Sequence, residues 1–100
     1  MQAVAPDDWA DAVRRARGQR LRWAGLWVEE PEAGTLQCLS CFVRGGDYVL
    51  LRTRLEGHAP RLASHVPYYP AADRMERHAR DLWGIEFIGH PDGRRWTRHQ

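Results

Sequence analysis

Five histidines (His58, His65, His78, His90, His99), the C-x-x-C pair Cys38 and Cys41, and two serines, Ser40 and Ser64, are the side chains of this 100-residue chain that first invite a metal-binding or nucleophilic reading. A structural zinc site needs a second ligand pair at matching spacing, and none follows the cysteines. Cys38 and Cys41 also fall in an apolar run that reads as a strand, where residues three apart point to opposite faces. They are therefore expected to be reduced, structural thiols. No two histidines stand at the i,i+4 spacing of a metal-binding helix, so all five read as surface or capping residues. Neither serine lies in a nucleophile-elbow context, and Gly45-Gly46 lacks the helix and lysine of a phosphate loop. Nor is there a ligand set for a flavin, an iron–sulfur cluster or nickel. The expectation is no catalytic residue, no metal and no cofactor.

Composition narrows the partners. All fifteen basic residues are Arg, and the net charge is only +2, too small to require a polyanionic partner. An Arg- and Trp-rich nucleic-acid-binding module is the alternative reading. Acids interleaved with the arginines of the second expected helix would repel a phosphate backbone, so no nucleic acid is expected. The 43% apolar content and five Trp indicate a folded globule. No apolar run approaches the roughly 20 residues of a membrane span, and Met1 is not followed by a signal pattern. The chain reads as soluble, meeting a membrane only through partners.

The elements that position these side chains follow from periodicity. Pro6, Asp7 and Asp8 open a helix whose inward residues are Trp9, Ala12, Val13 and Ala16, with Gly18 as its stop. Period-two patterning then gives strands over 20–30, 35–44 and 48–55, the last two joined by a tight hairpin at Gly45-Gly46. Val49, Leu51, Thr53 and Leu55 share one face of the third strand, and Arg52 and Arg54 share the other with Tyr48 and Leu50. Residues 56–70 carry three prolines and read as a loop with at most one helical turn around Arg61 to His65. Pro70 seeds a second helix with Ala71, Ala72, Met75, Ala79, Leu82 and Trp83 on its inward face. Asp73, Arg77 and Asp81 run along the opposite face, Glu76 pairs with Arg80, and Gly84 ends the helix. The fold class is α+β. One domain over 1–100 holds an antiparallel three-stranded β-meander flanked by an N-terminal and a C-terminal helix, with an extended C-terminal tail.

That tail mixes Gly89, Pro91 and Gly93 with His90, Asp92, Arg94 and Arg95, and Trp96 follows as a candidate apolar anchor. Arg and Trp are residue types enriched at interface hot spots. With Glu76, Arg77 and Asp81 on the preceding helix, these residues form a candidate partner-binding set.

The run from Glu76 to Arg95 resembles the signature of one family, the peripheral C subunits of proton-translocating NADH:quinone oxidoreductase (respiratory complex I, an NADH dehydrogenase). The same family includes the related domain of membrane-bound NiFe-hydrogenase and formate hydrogenlyase complexes. Glu76, Arg77, Asp81, Leu82, Gly84, Ile85, Phe87, Gly89, His90, Pro91, Asp92, Arg94 and Arg95 match it position by position. His78, Trp83 and Gly93 depart from it, and the lead-in Pro70-Ala71-Ala72 looks more like the hydrogenase branch. The resemblance implies a single domain of this family that binds no cofactor and has no activity of its own. Such a domain docks onto the hydrogenase-like large subunit and holds it against its iron–sulfur partner. It also implies a cytoplasmic location, peripheral on the inner face of the cell membrane, with both branches and the electron donor left open.

Overall fold

The structure is a computed structural model, and it describes residues 1–90. A short 3-10 turn at Pro6–Asp8 leads into α1 (Trp9–Gly18), whose buried residues are Trp9, Ala12, Val13 and Ala16, the expected stripe. Three long strands follow, β2 (Arg22–Glu32), β3 (Thr35–Arg44) and β4 (Asp47–Glu56), paired antiparallel in chain order. Arg44 pairs with Asp47, so the β3–β4 loop is Gly45-Gly46 alone, and Gly45 takes a φ of 60°. A two-residue hairpin turn needs that positive φ. β2 is an edge strand, which is why it tolerates Pro31 inside its range.

Sequence periodicity did not reveal a fourth strand. β1 (Gln2–Ala3) lies parallel to β4, giving the sheet order β1-β4-β3-β2. Two further corrections concern the segments expected to be irregular. Arg61–Ala63 is a strand, β5, not a helical turn, and the start of the tail is a strand too, β6 (Glu86–Ile88), paired parallel to β5. Three-residue strands are too short for alternation to register, and each exists only because the other is beside it.

Helix ends differ in an instructive way. Gly84 ends α2 (Asp73–Trp83) in the left-handed conformation, φ 74°, its N–H bonded to the Arg80 carbonyl. Gly18 is the last residue of α1, but it is not the left-handed residue that closes the helix. The left-handed residue there is Arg20, φ 62°, and the Leu21 N–H reaches back to the Ala16 carbonyl at 3.0 Å. The helix is thus closed by the usual glycine motif with an arginine in the glycine position.

Both helices and the 57–69 segment cover one face of the sheet. Leu26, Cys38, Phe42, Leu51 and Leu55 point into this core to meet Trp9, Val13, Leu62, Tyr69, Ile85 and Phe87. Tyr69 is pinned there by its hydroxyl, which donates to the Leu21 carbonyl at 2.8 Å. No helix among the described residues is long and apolar enough to cross a membrane.

Candidate functional site

The phase of α2 decides what the candidate site presents. Its buried residues are Glu76 and Ala79, so the helix is turned away from the face that its apolar side chains suggest. Met75 is 42% exposed and Leu82 is 63% exposed, whereas Glu76 is fully buried. This corrects two expectations: Leu82 and Met75 are not core, and Glu76 is neither on the outer face nor paired with Arg80. Arg80 Nε instead lies 3.3 Å from Asp81 Oδ1.

Glu76 turns inward because donors wait for it. Ser64 Oγ donates to one carboxylate oxygen at 2.6 Å, and the His65 backbone N–H donates to the other, also at 2.6 Å. Ser64 Oγ in turn accepts the Val66 N–H at 3.0 Å. A buried carboxylate is tolerable only when its oxygens are filled in this way. Burial still pushes the Glu76 pKa up to about 7, against the lowering effect of those two hydrogen bonds.

His65 is the second correction, since it is fully buried and not a surface residue. Its ring stacks on Phe42 at 5.8 Å and lies 5.6 Å from Trp9 and 6.4 Å from Trp23. This apolar cage lowers its pKa to about 4, so the imidazole is neutral. His65 Nε2 lies 2.8 Å from Ser40 Oγ, which also accepts the Trp23 indole N–H at 3.1 Å. With Trp23 donating to it, the Ser40 hydroxyl can donate in turn to Nε2, an arrangement that carries the ring proton on Nδ1. That proton faces Glu76 Oε2 at 3.7 Å, beyond hydrogen-bonding range.

Ser40, His65 and Glu76 therefore stand in the order nucleophile, base, carboxylate. All three are fully buried, and the serine oxygen is occupied by an indole, so no substrate can reach it. The arrangement ties β3, the 64–66 segment and α2 into one polar seam within the core. Sequence reading missed it because Ser40, Ser64, His65 and Glu76 come from three separate elements.

The remaining candidate residues lie toward the end of α2 and beyond β6. Arg77 is half-buried, with Nε 3.5 Å from Asp73 Oδ1, and Asp81 is exposed. Gly89 turns the chain with φ 88°. His90 is buried, a third departure from surface histidines, and its Nε2 lies 2.8 Å from Asp73 Oδ1 and 4.0 Å from Glu76 Oε1. The chain leaving β6 is thus fastened to the first turn of α2. Pro91, Asp92, Arg94, Arg95 and Trp96 lie outside the described residues.

Neither cysteine is in a disulfide. Cys38 is buried in the core and Cys41 lies on the opposite strand face, as the alternation requires. Burial pushes the Cys38 thiol up to about 12, which keeps it protonated and inert. Among the described residues no group of three His, Cys, Asp or Glu side chains could hold a metal ion.

Known proteins resemble this chain in both sequence and fold. The family model described as "Respiratory-chain NADH dehydrogenase, 30 Kd subunit" matches residues 2–100. The C/D subunit of NADH-quinone oxidoreductase from Gluconacetobacter diazotrophicus is 40% identical over 80 residues, covering 72% of this chain and 13% of that protein. The C subunit of the same oxidoreductase from Coxiella burnetii is 43% identical over 53 residues, covering 53% of this chain and 23% of that protein. The chain matches less than a quarter of the length of either relative. A solved structure described as "Nqo5 of the trypsin-resistant fragment (1-134) in P63 form" aligns with a TM-score of 0.76 at 19% identity. That alignment covers 89% of this chain and 78% of the other, and establishes a shared fold.

Proposed function

The chain belongs to the respiratory-chain NADH dehydrogenase 30 kDa subunit family, and from that premise we propose that it is a non-catalytic docking module of a multisubunit NADH:quinone oxidoreductase. Its partners are the hydrogenase-like large subunit and the neighbouring iron–sulfur subunit, and it reaches the membrane surface only through them. Relatives named as parts of NADH-quinone oxidoreductase favour this branch over the hydrogenase one.

The observation that carries the proposal is exposed apolar surface beside a fastened exit. Leu82 on α2 is 63% exposed and Ile88 on β6 is 49% exposed, and the two elements pack against each other. Neither side chain helps the core, and a large apolar side chain turned to solvent fits an interface that is covered on assembly. His90, held by Asp73, fixes the point from which the chain runs on into the matched Pro91, Asp92, Arg94 and Arg95. Arg77 and Asp81 supply charge on the same helix, while Glu76 acts from inside by holding the 64–65 segment.

The test is Leu82→Glu together with Ile88→Glu in the tagged protein. The melting temperature should stay within a few degrees of the parent, and co-purification of the large subunit should fall at least tenfold. Full co-purification would reject this face as the docking site. A parallel metal analysis and visible spectrum of the purified chain should find no stoichiometric iron, nickel or flavin.

A further inference from the structure

The sheet has a second face, and neither helix touches it. Cross-strand register places Arg22, Val43 and Tyr48 in one row of that face, Gly25, Cys41 and Leu50 in the next, and Trp27, Leu39, Arg52 and Ala3 in the third. A sheet face left to water normally carries polar residues at these positions. Here the rows are apolar and aromatic, with Tyr48 71% exposed and Trp27 41% exposed.

The charges on these rows have one sign. Arg22 and Arg52 lie on them and Arg54 lies one row further, and none of the three has an ion pair among the described residues. No carboxylate shares the three rows. The nearest on the face, Glu29, already accepts the Gln37 side-chain amide at 3.2 Å. Beside β4, Arg52 and Arg54 line a groove whose other wall is Ala3, Val4, Ala5 and Pro6. With small apolar residues on one side and two arginines on the other, it suits a carboxylate side chain carried on an apolar surface.

We propose that this outer sheet face is a second docking surface, distinct from the α2–β6 side, and that its occupant is a protein subunit with an apolar centre and Asp or Glu at its rim. One partner carboxylate sits in the groove between Arg52 and Arg54, and Trp27 and Tyr48 are the anchors. Trp, Tyr and Arg around a buried apolar centre are the side chains that carry most interface energy. A chain covered on two faces is one that bridges two neighbours.

The proposal is independent of the α2–β6 reading, and one experiment separates them. A photo-reactive benzoylphenylalanine is placed at Tyr48 in one strain and at Ile88 in another, and the whole complex is purified through a tag on this chain. The Tyr48 probe should crosslink to another subunit, at a peptide containing Asp or Glu. Adding Arg52→Glu and Arg54→Glu should cut that product at least tenfold while leaving the Ile88 product intact. A Tyr48 probe that crosslinks to a second copy, to another part of its own polypeptide, or to nothing overturns the proposal. The Tyr48 result in the otherwise unaltered protein decides the matter even where the double charge reversal impairs folding. Loss of the Ile88 product alone would count against the α2–β6 site and leave this one standing.

Discussion

Glu76 and His65 are joined through the backbone, the carboxylate accepting the His65 N–H at 2.6 Å, while their titrating groups shift in opposite directions. Burial lowers the imidazole from 6.5 to about 4 and raises the carboxyl from 4.5 to about 7. Between pH 4.5 and 6.5 the unfolded chain holds one proton on this pair, on His65. The folded chain also holds one, on Glu76. Folding moves the proton from one residue to the other without net uptake, so the pair gives no pH dependence of stability in that window.

Removing either member should expose the other. Glu76→Gln leaves a histidine that must fold neutral, so stability relative to the parent should rise with pH from 4.5 to 6.5. The slope is about 1.4 kcal/mol per pH unit. His65→Phe leaves a carboxyl that must fold protonated, and the relative stability should fall with pH by a similar slope over the same range. Urea denaturation at four or five pH values measures both. Two parallel, flat difference curves would show that the pair does not titrate as described.

Arg20 occupies a left-handed position that costs an L-residue roughly 1–2 kcal/mol. Arg20→Gly should therefore stabilise the protein by about 1 kcal/mol once glycine's greater unfolded-state freedom is offset. Ala59, φ 55°, should respond in the same direction. A lower denaturation midpoint for Arg20→Gly would mean that its side chain contributes a contact worth more than the strain.

Thr53 points into the core opposite Cys38, and its hydroxyl has no hydrogen-bond partner among the described residues. An unpaired buried hydroxyl costs on the order of 1–3 kcal/mol. Thr53→Val keeps the shape and removes the polar atom, so the midpoint of unfolding should rise, reflecting a gain of about 1 kcal/mol. No gain would mean that the hydroxyl is satisfied in solution.

The matched arginines beyond the described residues yield a prediction about assembly. Removing one partner of a desolvated interface charge pair costs about 2–5 kcal/mol, on the order of 30-fold in affinity. Arg94→Ala with Arg95→Ala should lower recovery of the large subunit and leave the melting temperature unchanged. A collapsed fold with unchanged assembly would assign these residues to stability.

The sequence made some of this legible and hid the rest for identifiable reasons. Trp9, Ala12, Val13 and Ala16 were readable because a helix with one apolar stripe announces its inward face. The long strands and the Gly45-Gly46 hairpin were readable because alternation and turn chemistry are local. Glu76 was not, because periodicity counts an acid as outward, and the donors that draw it inward belong to Ser64 and His65. His65 was hidden likewise, since its cage comes from α1, β2 and β3. The candidate partner set was legible as a motif but not as a surface: beside it Leu82 read as core and is exposed, and Ile88, also exposed, drew no reading of its own.

The parallel pairing of β5 with β6 has a consequence for the order in which the molecule becomes usable. Parallel strands cannot be joined by a tight turn, and the crossover between Arg61–Ala63 and Glu86–Ile88 contains all of α2. Closing it brings distant residues together, a slow and entropically costly kind of contact. β6 can therefore pair with β5 only when the chain closes the whole crossover that holds α2. The direction in which the chain leaves Gly89 and His90 is fixed at that moment and not before. A nascent or locally unravelled chain lacks that fixed exit at His90, so a partner that recognised the exit would select for completed folding.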